Sequence, residues 1–152
     1  MIKPQKALHL YLELEKKRTK IAEDLFYIFE KYDGWFGLKD VDTKAFADCP
    51  ISSRACRRIP SCDTLSASIQ TYETKAGWTQ RGTIIFEILV HGVPVFKDLN
   101  GILNRSKGDC QAKDAYLRVH DFIPHDDPQM VMEDRYELAK AYVLTINHPR
   151  VK

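Results

Sequence analysis

Thr83-Ile84-Ile85-Phe86-Glu87-Ile88-Leu89-Val90 is an apolar octapeptide interrupted once, by a carboxylate. A short run rich in β-branched and aromatic side chains reads as a buried strand. Glu87 is the odd member. A carboxylate taken out of water is costly without a counter-group, and a metal ion, sugar hydroxyls or a cation would supply one; a salt bridge to a neighbouring Lys or Arg meets the same need. Outward from this strand, residues 25–29 (Leu-Phe-Tyr-Ile-Phe) and 115–123 read as two further strands. Residues 61–75 read as a helix with Ser61 as its cap, and 95–105 as a second, with Val95, Phe96, Leu99 and Leu103 at helical spacing. Residues 129–144 form a closing helix whose apolar members include Met130, Tyr136, Leu138, Ala141 and Tyr142. Leu8, Leu10, Leu12 and Leu14 alternate like a half-buried strand, although the lysine-rich stretch that follows suits a helix equally well. The fold class expected is α+β: a mixed, mainly antiparallel sheet with flanking helices and no internal domain boundary.

A second stretch, Glu30-Lys31-Tyr32-Asp33-Gly34-Trp35-Phe36-Gly37, holds the one amine in a chemically suggestive frame. Lys31 stands where the apolar 25–29 run meets a turn that Gly34 can make. At the rim of an apolar pocket, or beside other cations, such an amine loses part of its charge and becomes a nucleophile. Asp-Gly between apolar residues is also a hairpin signal, and that reading stays open. Trp35 and Phe36 read as packing residues.

Composition bounds the chain without deciding its function. Its 152 residues, 44% hydrophobic and 29% charged with a net charge of +2, suffice for one core. Charge is unevenly spread: residues 51–120 hold ten Lys or Arg against six Asp or Glu, and residues 121–152 hold four against six. The middle can therefore face a phosphate backbone, or be an ordinary solvated surface. Cys49, Cys56, Cys62 and Cys110 contain no Cys-x-x-Cys pair, and neither a signal peptide nor an apolar run of membrane-spanning length is present. Reduced thiols in a cytoplasm are the simplest account. Zinc ligation by Cys49, Cys56 and Cys62 would need unusual spacing. His120, Asp121, His125, Asp126 and Asp127 could form a metal-hydrolase cluster, but a strand end followed by a polar turn through Pro124 and Pro128 is the preferred reading.

Three segments follow the lysine frame in a telling order. They are Ile51-Ser52-Ser53-Arg54-Ala55-Cys56-Arg57-Arg58-Ile59-Pro60, the 83–90 strand with Glu87, and Tyr116-Leu117-Arg118-Val119-His120-Asp121-Phe122-Ile123, with Asp134-Arg135-Tyr136-Glu137-Leu138 beyond. The set resembles the covalent nucleotidyltransferases, which include polynucleotide ligases and messenger-RNA capping enzymes, and in particular the small ATP-dependent DNA ligases of bacteriophages. The resemblance spans roughly residues 25–145. It implies an ATP-grasp-like half of a ligase nucleotidyltransferase domain over residues 1–152. It further implies a lysyl-adenylate formed from ATP with Mg2+ and used to seal nicked duplex DNA, in the cytoplasm or, for a viral protein, the host's.

Carried onto this chain, the resemblance makes Lys31 the nucleophile and Asp33 the residue that shapes the turn and orients it. Glu30, Arg54, Glu87 and His120 would line the nucleotide, with Arg54 on phosphate, Glu87 on ribose or metal and His120 stacked on the base beside Asp121. Arg54, Arg57 and Arg58 would meet nucleic acid. Departures are visible: Phe36 stands where the family usually has Arg, Cys56 where it has Gly, and His120 where it has an aromatic ring. No Glu-Gly pair and no Lys-x-Lys occurs, so the strands that complete the family's pocket are not found. The expectation is a subunit active with a second polypeptide, docked at an apolar sheet edge near residue 123 and after Val143, with no membrane involved. Alternatives are a nicotinamide-dinucleotide-using ligase, an RNA ligase or capping-type transferase, and an inactive fragment that binds nucleic acid or a partner.

Overall fold

The computed structural model describes residues 33–42, 49–106 and 110–152, all within the unit Tyr32–Lys152. Its centre is the strand read first from the sequence, β2 (Gly82–Val90). β2 pairs antiparallel with β1 (Trp35–Val41) on one side and β3 (Ala115–Pro124) on the other, giving the order β1-β2-β3. Alternation along β2 divides the sheet into two faces. Ile84, Phe86 and Ile88 are fully buried on the first, while Thr83, Ile85, Glu87 and Leu89 point to the second. The 115–123 expectation holds, with the strand running one residue further. The 8–14 and 25–29 segments lie outside the described residues.

β1 was not anticipated, and its sequence explains why. Its first-face positions are Trp35, Gly37, Lys39 and Val41, so the periodic apolar signal fails at two of four places. Gly37 is required by crossing traffic: a Cβ there would stand 2.4 Å from Cε2 of Phe86.

Three helices share the first face: α1 (Asp63–Lys75), α2 (Phe96–Leu103) and α3 (Met132–Ile146). Their buried members, Leu65 and Ile69 of α1, Leu99 and Leu103 of α2, and Ala139, Tyr142 and Ile146 of α3, join Ile84, Phe86, Ile88, Leu117 and Phe122 in one apolar cluster. The α3 trio follows the three- and four-residue spacing of one helical stripe. Trp78 sits edge-on to Phe122 and Tyr142, with ring centroids 5.7 and 5.3 Å away. Two expected details differ. Ser61 lies in a 3-10 turn (Pro60–Cys62) and donates its hydroxyl to the Leu103 carbonyl (2.8 Å); the start of α1 is instead served by Gln111, whose Oε1 accepts from the Thr64 amide (3.0 Å) and hydroxyl (2.8 Å). Val95 and Phe96 are 53% and 48% exposed, so α2 buries a narrower stripe than its sequence suggested.

Inside the first face lies a charge. Lys39 is fully buried, its Nζ 3.0 Å from both carboxylate oxygens of Glu73 on α1, and Tyr142 of α3 donates its hydroxyl to Glu73 Oε1 at 2.6 Å. Lys39 also donates to the Asp40 carbonyl (3.2 Å). Burial, with the adjacent Glu73 charge, holds the Tyr142 hydroxyl well above its usual range, so it stays a donor.

The rim of β3 carries a further, parallel pairing. Leu117 and Val119 donate to the carbonyls of Arg150 and Lys152 (2.8 Å each), and Lys152 returns a bond to Leu117 (2.9 Å). His148 anchors this segment. Its Nδ1 accepts from the Arg150 amide (3.1 Å), so the proton resides on Nε2, which lies 3.0 Å from Ser68 Oγ on α1. The ring meets Tyr72 edge-on at 4.6 Å. Burial, with Arg150 nearby, lowers its pKa.

Lys39→Met leaves the Glu73 charge buried without its cation and should cost about 3–5 kcal/mol of stability, whereas Lys39→Met with Glu73→Leu should recover most of that loss. Urea unfolding of both variants measures the difference. For His148 the folded pKa lies below the unfolded value near 6.5, so the unfolded chain binds the extra proton and stability falls as pH drops below about 6.5, by at most about 1.4 kcal/mol per pH unit. The stability gap between the unmodified chain and His148→Gln should therefore narrow from pH 7.5 to 5.5; a gap independent of pH would contradict this assignment.

Candidate nucleotide-binding face

The register of the sheet sets Phe36 opposite Glu87 and Glu87 opposite Arg118, a row of three side chains across the second face. Gly34 leads into β1 directly over this row. A Cβ at Gly34 would stand 2.8 Å from Glu87 Cβ, 2.9 Å from the Ile88 carbonyl and 3.1 Å from Glu87 Oε2, so only glycine lets the chain pass so close to the carboxylate. The Asp33-Gly34 pair of the lysine frame and the glutamate of the central strand thus meet, although more than fifty positions separate them in sequence.

A hairpin over residues 51–59 extends the sheet beyond β1. Leu38 and Ser52 exchange both backbone hydrogen bonds (2.8 Å each), and Ile59 donates to Ile51 (2.9 Å). Ser53 donates to Arg57 and Cys56 to Ser53 (2.8 Å each), closing a tight turn in which Cys56 takes φ 56°. That is the glycine position of a three-residue hairpin loop, and it coincides with the place where the resembled motif has glycine. The turn delivers Arg54, whose guanidinium carbon lies 4.5 Å from the centre of the Phe36 ring. Such stacking is worth about 0.5–1 kcal/mol at an exposed site. Phe36, read from sequence as packing, therefore also serves as a platform for Arg54. Arg57 is exposed; Arg58 places its Nε 2.9 Å from Asp63 at the start of α1.

At the far side of the face, β3 bulges. Ile85 pairs with Asp121 and Phe86 with Val119, leaving His120 as the extra residue. His120 and Asp121 thereby fall between two first-face positions, Val119 and Phe122, and share the second face. Burial lowers the pKa of His120, favouring a neutral ring at pH 7. Burial also raises that of Asp121, opposed by Arg135 of α3, whose Nη2 lies 3.0 Å from Asp121 Oδ2.

The structure therefore gathers Gly34, Phe36, Arg54, Glu87, Arg118, His120 and Asp121 around one face, with Arg57 and Arg58 on its flanking hairpin. Glu30 and Lys31 lie outside the described residues, and Asp33 is exposed at the entry to β1. Arg118 and Arg135 were not assigned roles from sequence. Arg118 could have been, because it alternates with Leu117 and Val119 as the polar member of β3; Arg135 belongs to the 134–138 segment singled out in the sequence, but its partner Asp121 lies on another element, and that pairing leaves no local signal. The His-Asp cluster is dispersed: His125 Nε2 is 3.3 Å from Thr83 Oγ1, Asp126 accepts from Gln80 (2.9 Å) and Asp121 engages Arg135. Among the described residues no group of three or more His, Cys, Asp or Glu side chains is assembled to hold a metal ion. The four thiols are unbridged; burial raises the pKa of Cys49 and pushes that of Cys62 to about 11. No described helix is long and apolar enough to cross a membrane.

The fold of this chain is shared with solved ligase chains. Two solved ligase chains, "Pmar-Lig_Pre." and "Pmar-Lig_PreS3", each match with a TM-score of 0.64 and 20% identity over 80% of this chain and 28% of theirs. An ATP-dependent DNA ligase from bacteriophage T7, in complex with ATP, matches at a TM-score of 0.45 and 19% identity, over 76% of this chain and 41% of that one. The chain spans under a third of the length of the two Pmar-Lig chains. No family model and no curated protein matches it.

An L residue at a left-handed position costs roughly 1–2 kcal/mol, part of which glycine returns as unfolded-chain entropy. Cys56→Gly should accordingly raise stability by about 0.5–1 kcal/mol in urea unfolding; an unchanged or lowered value would show that the Cys56 side chain contributes contacts of its own.

Proposed function

We propose that this chain is the front portion of an ATP-dependent DNA ligase, with an ATP-grasp-like arrangement in which the second face forms one wall of the nucleotide site. The observation that carries this reading is convergence: Gly34 against Glu87, and Arg54 over Phe36, unite the lysine frame, the Ser-Arg hairpin and the glutamate strand. Lys31, the nucleophile in this reading, stands three positions before Gly34 in the sequence and lies outside the described residues.

In this reading the Lys31 nitrogen attacks the α-phosphorus of ATP. The bond to the β-phosphate oxygen breaks, pyrophosphate leaves, the amine loses its proton and a phosphoramide holds the adenylate. A 5′-phosphate at a nick in duplex DNA then displaces Lys31, and the adjacent 3′-hydroxyl displaces AMP to seal the strand. Asp33 shapes the entry turn and orients Lys31, and Glu30 lines the nucleotide. Arg54 neutralises phosphate charge, Glu87 binds ribose hydroxyls, and the neutral His120 ring lies against the base. Arg57 and Arg58 meet the DNA backbone from the flanking hairpin.

Magnesium in such sites is held mostly by substrate phosphates with one or two carboxylates, and Glu87 fits that demand; when bound, the ion shields the phosphate oxygens. A second polypeptide supplies the remaining cations in this reading, docked along the β3 rim beyond residue 119 and near the exposed Leu144. The protein works in the cytoplasm, or the host's if it is viral.

Incubation with α-labelled ATP and magnesium, with candidate partner polypeptides present, should leave covalent label on the unmodified chain and none on Lys31→Ala. Label that survives in Lys31→Ala would remove the proposed nucleophile. Sealing of nicked DNA in preference to nicked RNA separates the ligase classes.

A further inference from the structure

Among the described residues the bulge in β3 is the one register shift in the sheet, and it coincides with the residue assigned to the base. A regular strand would put only one side chain of the His120–Asp121 pair on the second face; the bulge puts both there, opposite Ile85. An extra residue in a ladder loses its pairing and disrupts the ladder locally, so a hold from outside the sheet bears directly on its position. Arg135 supplies that hold. It projects from the first turn of α3, a helix fixed to the first face through Ala139, Tyr142 and Ile146, and reaches Asp121 at 3.0 Å. Both side chains are largely enclosed, 23% and 21% exposed, so the pair is better shielded than a surface ion pair.

We propose that Arg135 is a positioning residue: its ion pair with Asp121 fixes the bulge and thereby sets the His120 ring where a purine would lie against it. This rests on the reading of the second face as a nucleotide site. It adds a helix from the opposite side of the sheet to the parts that shape base recognition. A solvent-exposed pair on the same helix, Glu137 with Lys140 at 2.7 Å, provides a control of similar chemistry without a link to the bulge.

The test follows the His120 imidazole resonances of the full chain by NMR, with and without ATP, alongside the ATP dissociation constant from calorimetry. Addition of ATP should displace the His120 ring signals of the unmodified chain through the ring current of adenine. In Arg135→Met the free-state signals should move, the ATP-induced displacement should fall by at least half, and binding should weaken about tenfold, the scale of one lost base stack. Arg135→Lys, which keeps the charge, should retain most of both and decides the matter if the Met variant does not fold. Glu137→Gln should match the unmodified chain.

His120 signals and ATP affinity that are untouched in Arg135→Met would overturn the proposal. So would an unmodified chain that binds ATP without disturbing His120, although the nucleotide reading would then survive. If the unmodified chain binds no ATP even with the candidate partner polypeptides present, the nucleotide reading fails instead. The positioning role is then judged on the free-state signals alone, and their constancy in Arg135→Met would end it.

Discussion

The buried pairing of Lys39 with Glu73 constrains everything on the opposite face of the sheet. A strand has period two, so moving β1 by one residue against β2 exchanges its faces. With Lys39 enclosed between the oxygens of Glu73, such a slip would carry an ammonium away from its buried counter-charge and leave Glu73 with the Tyr142 hydroxyl in place of a cation. Apolar side chains at that position would pack adequately in more than one register; a charge does not. The register so fixed is the one that sets Phe36 opposite Glu87 and brings Gly34 over the carboxylate. An ion pair on the helix-bearing face therefore specifies the arrangement of the polar face.

How much of this was legible in the sequence follows from the same division. Strands β2 and β3 and helices α1, α2 and α3 show in the periodicity of their own residues, because each buries an apolar stripe that neighbours in sequence define. β1 does not, since half of its core-facing positions are Gly37 and Lys39, whose reasons lie in Phe86 and Glu73 far along the chain. Helix starts were misplaced for a related reason. Ser61 has the chemistry of a cap, but the nearest acceptor in the folded chain is the Leu103 carbonyl, and Gln111 takes over the cap from forty-seven residues away.

The candidate site residues, whose roles are proposals, divide in the same way. Arg54, Glu87 and His120 were found through motifs, and each stands on or beside the second face. Their supports were not found: Phe36 under Arg54, Gly34 beside Glu87 and Arg135 behind Asp121 are relations between elements rather than patterns within one. Cys56 lies between these cases. Its departure from glycine is visible in sequence, while its meaning appears only in the turn, where a left-handed backbone is demanded whatever side chain occupies it. The hairpin keeps its shape because five backbone hydrogen bonds over residues 38–59 outweigh a strain of roughly 1–2 kcal/mol at one position.

The two faces also differ in how they treat charge, and that difference bears on chemistry. On the first face Lys39 and Glu73 pair with each other, and Tyr142 and the Asp40 carbonyl complete their hydrogen bonds. On the second, Arg54 lies over a ring, Arg118 stands opposite Glu87, and His120 is driven toward its neutral form by burial. An imidazolium there would repel the nearby arginines, whereas a neutral ring adds no charge and, in the proposed reading, can meet a base. Desolvating the histidine thus gives the second face a neutral ring at the bulge, beside the Asp121–Arg135 pair, with Arg118 opposite Glu87 and Arg54 at the hairpin. In the reading proposed above, a ligand flat at one end and polyanionic at the other would run from that ring toward Arg54. That arrangement depends on the bulge, because a regular β3 could not offer both the ring and the carboxylate that anchors it.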